Sequence, residues 1–134
     1  MIALDNLIET RQETAADVLR LAEDALRRYG LDGARVQSQQ TSGEQMLRID
    51  VREDGTEYHP YLGNVAGLRF MLKLRRSDVE GLAASEQEIR TLAELARDTD
   101  LPVPEPVPAC DGDLIPSICA EGLGRFHSIL YRWI

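Results

Sequence analysis

The order of apolar patterns along the chain predicts an α+β domain with a mostly antiparallel, five-stranded sheet. Three observations predict it. A helical stripe opens the chain, three extended segments follow, and one long helix separates these from further strands. Strands grouped on either side of a central helix, not alternating with helices one for one, argue against a parallel βαβ arrangement. At 134 residues the chain reads as a single domain, 1–134, large enough to bury roughly two-thirds of its unfolded surface.

The first helix runs from about Thr14 to Tyr29, where Ala15, Val18, Ala22, Ala25, Leu26 and Tyr29 recur at helical spacing. Gly30 supplies the stop, and Arg27 and Arg28 sit where the helix dipole favours cations. Residues 1–12 carry few signals and are expected to fray. A strand over Arg35–Gln40, a polar turn Thr41-Ser42-Gly43-Glu44 and a second strand over Gln45–Arg52 come next. In the second strand Leu47, Ile49 and Val51 alternate with polar or longer side chains, the pattern of a half-buried strand. Residues 56–67 read as an irregular connection.

The third strand, Arg69–Arg76, puts Phe70, Leu72 and Leu74 on one face and Met71, Lys73 and Arg75 on the other. Lys73 is the only lysine among fifteen Lys and Arg residues. Two readings stand: edge protection or solubility, or an ammonium placed for a bound anion. The second helix is clear over Ser85–Thr99. Its start is open, because Ser77–Glu80 and Ser85–Glu88 both fit a capping box. Ala84, Ser85, Ile89, Leu92, Leu95 and Ala96 form one stripe, and Glu88 is the one charge inside it. Either Glu88 closes the Ser85 box, or it meets a partner across the core, since an unpaired carboxylate there is costly.

Prolines at 102, 104, 106 and 108 put every missing N–H on one edge of an extended strand, leaving Val103, Glu105 and Val107 to pair on the other. A turn at Asp111–Asp113 leads to Leu114–Cys119, a Gly122-Leu123-Gly124 break and a last strand over Arg125–Ile134. Cys110 and Cys119 lie badly for a disulfide across that turn and lack paired histidines for zinc, so they read as reduced, structural thiols. The net charge of −8 opposes nucleic-acid and anionic-membrane binding, which need clustered positive charge. It leaves room for a phosphate ligand. No apolar signal segment and no run of eighteen apolar residues occurs, so a cytoplasmic chain is expected.

The segment Ala25–Leu31, the strand Arg69–Arg76 and the run Leu92–Pro108 together resemble the N-terminal lobe of the aminoglycoside phosphotransferase family, kinase-like enzymes acting on choline, homoserine and antibiotics. The closing Leu130–Ile134 is similar to that family's hinge. The resemblance implies a kinase-like N-lobe that binds ATP, with Lys73 on the α/β-phosphates and Glu88 as its helix partner. It implies a phosphate-covering turn at Ser42, Gly43, Glu44 and Gln45, with Met71 lining the adenine pocket and Arg132, Trp133 and Ile134 offering hinge backbone groups. For Met71 core packing is the alternative. Two departures stand out: the turn has one glycine, and 56–67 is an insertion whose His59 reads as a loop residue.

In that family a second lobe carries a His-Gly-Asp-type loop with the catalytic Asp and a later Asp for magnesium. Neither His59 nor His127 is followed by Gly-Asp. No catalytic or metal-binding residue is therefore assigned, and magnesium is expected only with the second lobe. In the intact enzyme the γ-phosphoryl group of ATP would pass to a hydroxyl of a small acceptor. The expected partners are the nucleotide and the second lobe, or self-association through the exposed cleft face. The other reading is a catalytically inactive, stand-alone protein-interaction module with the same fold.

Overall fold

Period-two alternation in the third strand governs how the layers stack. The structure, a computed structural model, describes residues 15–31, 33–41, 44–120 and 122–132. Helix α1 (Ala15–Arg28) is followed by β1 (Arg35–Thr41), β2 (Glu44–Asp50), the short β3 (Tyr58–His59) and β4 (Gly63–Asn64), and β5 (Arg69–Arg76). Helix α2 (Val79–Asp98), β6 (Pro106–Val107), β7 (Ser117–Ala120) and β8 (Gly124–Arg132) complete the order. Among the described residues the main sheet is antiparallel and has six strands, not the five expected, in the order β1-β2-β5-β8-β6, with β7 also pairing β8. The extra strand arises because β6 and β7 share one edge of the long β8, pairing Leu130–Tyr131 and Gly124–His127 respectively.

Helix α1 covers one sheet face. Val18, Leu21, Ala22, Ala25, Leu26 and Tyr29 are buried against Leu47, Ile49, Phe70, Leu72, Leu74 and Leu130. The helix ends in a Schellman motif, with Leu31 N–H donating to Leu26 O at 2.8 Å and Gly30 N–H to Arg27 O at 3.2 Å. Gly30 takes φ 71°, which suits glycine alone at low cost. Tyr29 reaches through the layer to Ser128 Oγ at 3.1 Å.

On the other face one open choice closes and two expectations change. Helix α2 starts at Val79, at the earlier of the two candidate capping boxes. Asp78 is its N-cap and accepts from Gly81 N–H, so Ser85 is a mid-helix residue. The anticipated apolar stripe is not buried: Ala84 and Ala96 are exposed and Leu95 is 38% exposed. Among the α2 residues only Ser85 is buried. The proline run pairs only at its end, through Pro106 and Val107, while Pro102 and Pro104 leave the sheet to wall a cleft under α2.

The 56–67 connection contains a two-stranded hairpin pinned by a fully buried His59. Its Nδ1 accepts from the N–H groups of Tyr61 and Leu62, and Nε2–H donates to Pro108 O at 2.7 Å. This histidine is a staple between the hairpin and the proline run. Both cysteines are free and exposed, so neither serves the core. No helix among the described residues is long and apolar enough to cross a membrane.

Candidate functional site

The face of β5 turned away from α1 carries Met71, Lys73 and Arg75, and its neighbours extend the surface row by row. Opposite Arg75 on β8 stands His127, opposite Lys73 stands Ile129, and opposite Met71 stands Tyr131. On the β2 side Met46 flanks Lys73 and Arg48 flanks Met71. Only Ser77 and Asp78 separate β5 from α2, so the helix folds straight back over this surface. Residues 85, 88 and 92, spaced at three and four, then lie on one side of it.

Glu88 is the hub. Lys73 Nζ donates to Oε1 at 2.8 Å, Arg75 Nη2 donates to the same oxygen at 3.3 Å, and the Tyr131 hydroxyl donates to Oε2. The three side chains of the ion pairs are only 12% (Lys73), 16% (Arg75) and 24% (Glu88) exposed, so solvent screens these charges weakly. Partial burial works against the ionised carboxylate. Hydrogen bonds from Lys73 and Tyr131 and the charges of Lys73 and Arg75 outweigh it, and hold the Glu88 carboxyl below its ordinary value.

One helical turn earlier, Ser85 Oγ lies 2.6 Å from His127 Nε2 and accepts from Arg75 Nη1 at 2.8 Å. His127 Nδ1 is 3.1 Å from Ser77 Oγ. The neutral Nδ1–H tautomer satisfies all of them: Nδ1–H donates to Ser77, and the Ser85 hydroxyl donates to Nε2. Burial and the neighbouring Arg75 guanidinium lower the His127 pKa, with Asp78 opposing them weakly.

Beside Glu88 opens a cleft of about 640 Å³. Met46 and Met71 form its floor, Leu92 and the prolines 102 and 104 its far wall, and Lys73, Glu88 and Tyr131 its polar end.

Four of the ten residues singled out in the sequence therefore meet in one place: Lys73, Glu88, Met71 and Arg132 all line this cleft. Gln45 lies within β2 opposite Leu74, one position out of phase with Met46, so its side chain shares the sheet face of Leu47 and not that of Lys73. Glu44 is the first backbone position of β2. Gly43 and Trp133, with Ser42 and Ile134, lie outside the described residues. The backbone N–H of Arg132 is already engaged by Glu105 O at 3.2 Å. Sequence reasoning gave no role at the site to Arg75, Ser85 or His127, and none on Glu88 to Tyr131. The signal was the parity of β5 and β8, which puts Arg75, His127 and Tyr131 on the Lys73 face.

The solved structure of the microcompartment-associated aminopropanol kinase is similar to this chain, with a TM-score of 0.66 and 24% sequence identity over 87% of this chain. The match takes in 31% of that protein, so the chain spans about a third of the length of its structural neighbour. No family model and no curated protein matches the sequence. The likeness, with the antiparallel sheet and two helices among the described residues, shows a kinase-like fold.

Proposed function

We propose that this chain is the nucleotide-binding lobe of a small-molecule kinase of the aminoglycoside-phosphotransferase type. In the intact enzyme it holds ATP while the γ-phosphoryl group passes to a hydroxyl of a small acceptor. The observation that carries this reading is the Lys73–Glu88 ion pair in a cleft otherwise lined mainly by apolar side chains. An ammonium offers three N–H donors. Glu88 fixes where the ammonium sits, so a phosphate oxygen meets a cation that needs little reorganisation.

Met46, Met71 and Leu92 give the adenine ring an apolar slot, and the Lys73 end of the cleft receives the α- and β-phosphates. Magnesium, with the catalytic carboxylates, belongs to the second lobe. The residues of this lobe bind and orient the nucleotide but supply no base. The neighbour's fold supports the reading because a kinase-like N-lobe places a strand lysine and a helix glutamate across such a cleft.

Calorimetric titration of ATP·Mg into the chain joined to its catalytic lobe, with and without Lys73→Ala, tests it. A charge-assisted hydrogen bond contributes about 1.5–3 kcal/mol. Lys73→Ala should therefore weaken binding roughly 10- to 100-fold. Unchanged affinity would remove Lys73 from the site and with it the nucleotide reading.

A further inference from the structure

Helix α2 is 20 residues long, and a helix of that length ordinarily seats itself through an apolar stripe. This one does not. Its only buried residue is a serine, and Leu82 and Leu95 are 36% and 38% exposed. What lies beneath that serine is a cross-strand pair, Arg75 on β5 and His127 on β8, directly opposite each other in register. Both reach Ser85 Oγ, at 2.8 and 2.6 Å, and His127 is itself fully buried. The far side of the imidazole holds Ser77, whose N–H also donates to Arg125 O at 3.0 Å, so the β5–α2 connection is tied to β8 as well.

We propose that Ser85, Arg75 and His127 are positioning residues that lock α2 to the sheet and thereby hold Glu88 against Lys73. The reason is geometric. Ser85 and Glu88 are three residues apart on one helix, about 4.5 Å along its axis and on one face. Fixing the serine therefore fixes both the rotation and the height at which the carboxylate arrives. Hydrogen bonds are directional where apolar contacts are not. A polar seat selects one azimuth of the helix, whereas a partly exposed set of leucines tolerates several. Arg75 belongs to both parts, donating to Ser85 through Nη1 and to Glu88 through Nη2, and so couples the seat to the ion pair.

The role of Glu88 toward a nucleotide rests on the reading proposed above, but the seat does not. The experiment therefore takes two readouts on Ser85→Ala and on His127→Leu, with His127→Gln as the conservative variant whose amide still accepts from Ser85. The first readout is the carboxyl titration of Glu88 by carbon-detected NMR in the unliganded chain. The second is ATP·Mg affinity in the chain joined to its catalytic lobe.

Ser85→Ala and His127→Leu should each move the Glu88 midpoint up toward the ordinary glutamate value, with His127→Gln moving it less. Ser85→Ala should also weaken ATP·Mg about tenfold, and that loss should vanish in a Lys73→Ala background. A Glu88 midpoint unmoved by Ser85→Ala in a folded chain would overturn the seat. So would a His127→Gln variant that behaves like His127→Leu. A moved midpoint with nucleotide affinity untouched by either Ser85→Ala or Lys73→Ala would uphold the seat and reject the nucleotide site.

Discussion

Removing the carboxylate of Glu88 should cost more stability than removing the ammonium of Lys73, although the two form one ion pair. Lys73→Met leaves Glu88 still receiving the Arg75 guanidinium and the Tyr131 hydroxyl, so the anion keeps two of its three donors. Glu88→Gln takes away the one carboxylate that Lys73, Arg75 and Tyr131 share, where the two cations are only 12% and 16% exposed, and turns an amide NH2 toward N–H donors. Breaking a fully buried pair costs 3–5 kcal/mol, and an exposed pair is worth about 0–1. With Glu88 a quarter exposed, about 2–3 kcal/mol is expected for Glu88→Gln and about 1–1.5 for Lys73→Met. For a domain of this size a urea slope of roughly 1.5 kcal/mol/M turns the difference into a midpoint gap of about 0.7–1 M. Urea unfolding followed by far-ultraviolet circular dichroism measures it. Equal midpoints, or a lower one for Lys73→Met, would refute the placing of Glu88 at the centre of the cluster.

Two further outcomes follow from the same surface. A Cβ at Gly81 would collide with the Arg76 carbonyl oxygen where α2 turns back over β5. Gly81→Ala should therefore destabilise by about 1–3 kcal/mol despite its better helix propensity, and a stabilised variant would refute the close approach. Acid should weaken the fold in two stages. His127 titrates lower when folded, so the unfolded chain binds its proton first. Its contribution is complete above the ordinary imidazole value of about 6.5 and is lost as pH falls below that. Glu88 is likewise lowered, so its contribution persists above about 4.3 and is lost as pH falls through its folded value. The urea midpoint should begin to drop below about pH 6.5 in the parent and not in His127→Gln. A drop of equal size in that variant would assign the first stage to another group.

The α1 layer was legible because its signals are local and redundant. The stripe from Val18 to Tyr29 and the glycine at 30 specify the helix and its end, and the alternation in β2 and β5 specifies which residues they bury. The sheet's sixth strand was not legible. Leu114–Cys119 and the proline run each read as a strand, but nothing local says that both lie along the same edge of β8. The proline run also obeyed a constraint its own sequence does not carry. Pro102 and Pro104 stand off the sheet beside the cleft under α2, and only Pro106 and Val107 return to pair.

At the site, the ion pair was legible because each partner broke a pattern: a lysine inside a strand and a glutamate inside an apolar stripe. The seat was illegible for the opposite reason, since every member had an ordinary local explanation. Ser85 begins a sequence that fits a capping box, and Arg75 continues a basic strand exit. His127 sits mid-strand beside Ser128, in no motif that marks it as more than a strand residue. Only the register of β5 against β8 puts Arg75 beside His127, and only the cap at Asp78 starts the helix early enough for Ser85 to arrive about two turns in, above them. The stripe was a true pattern with the wrong cause. Its spacing marks the side of α2 that faces the sheet, but a serine and a glutamate bonded to strand cations hold that side, where leucines were expected to. A helix seated this way depends on a few directional bonds, so single changes at residues 75, 85 or 127 should disturb the geometry at residue 88 more than loss of an exposed leucine such as Leu95 would.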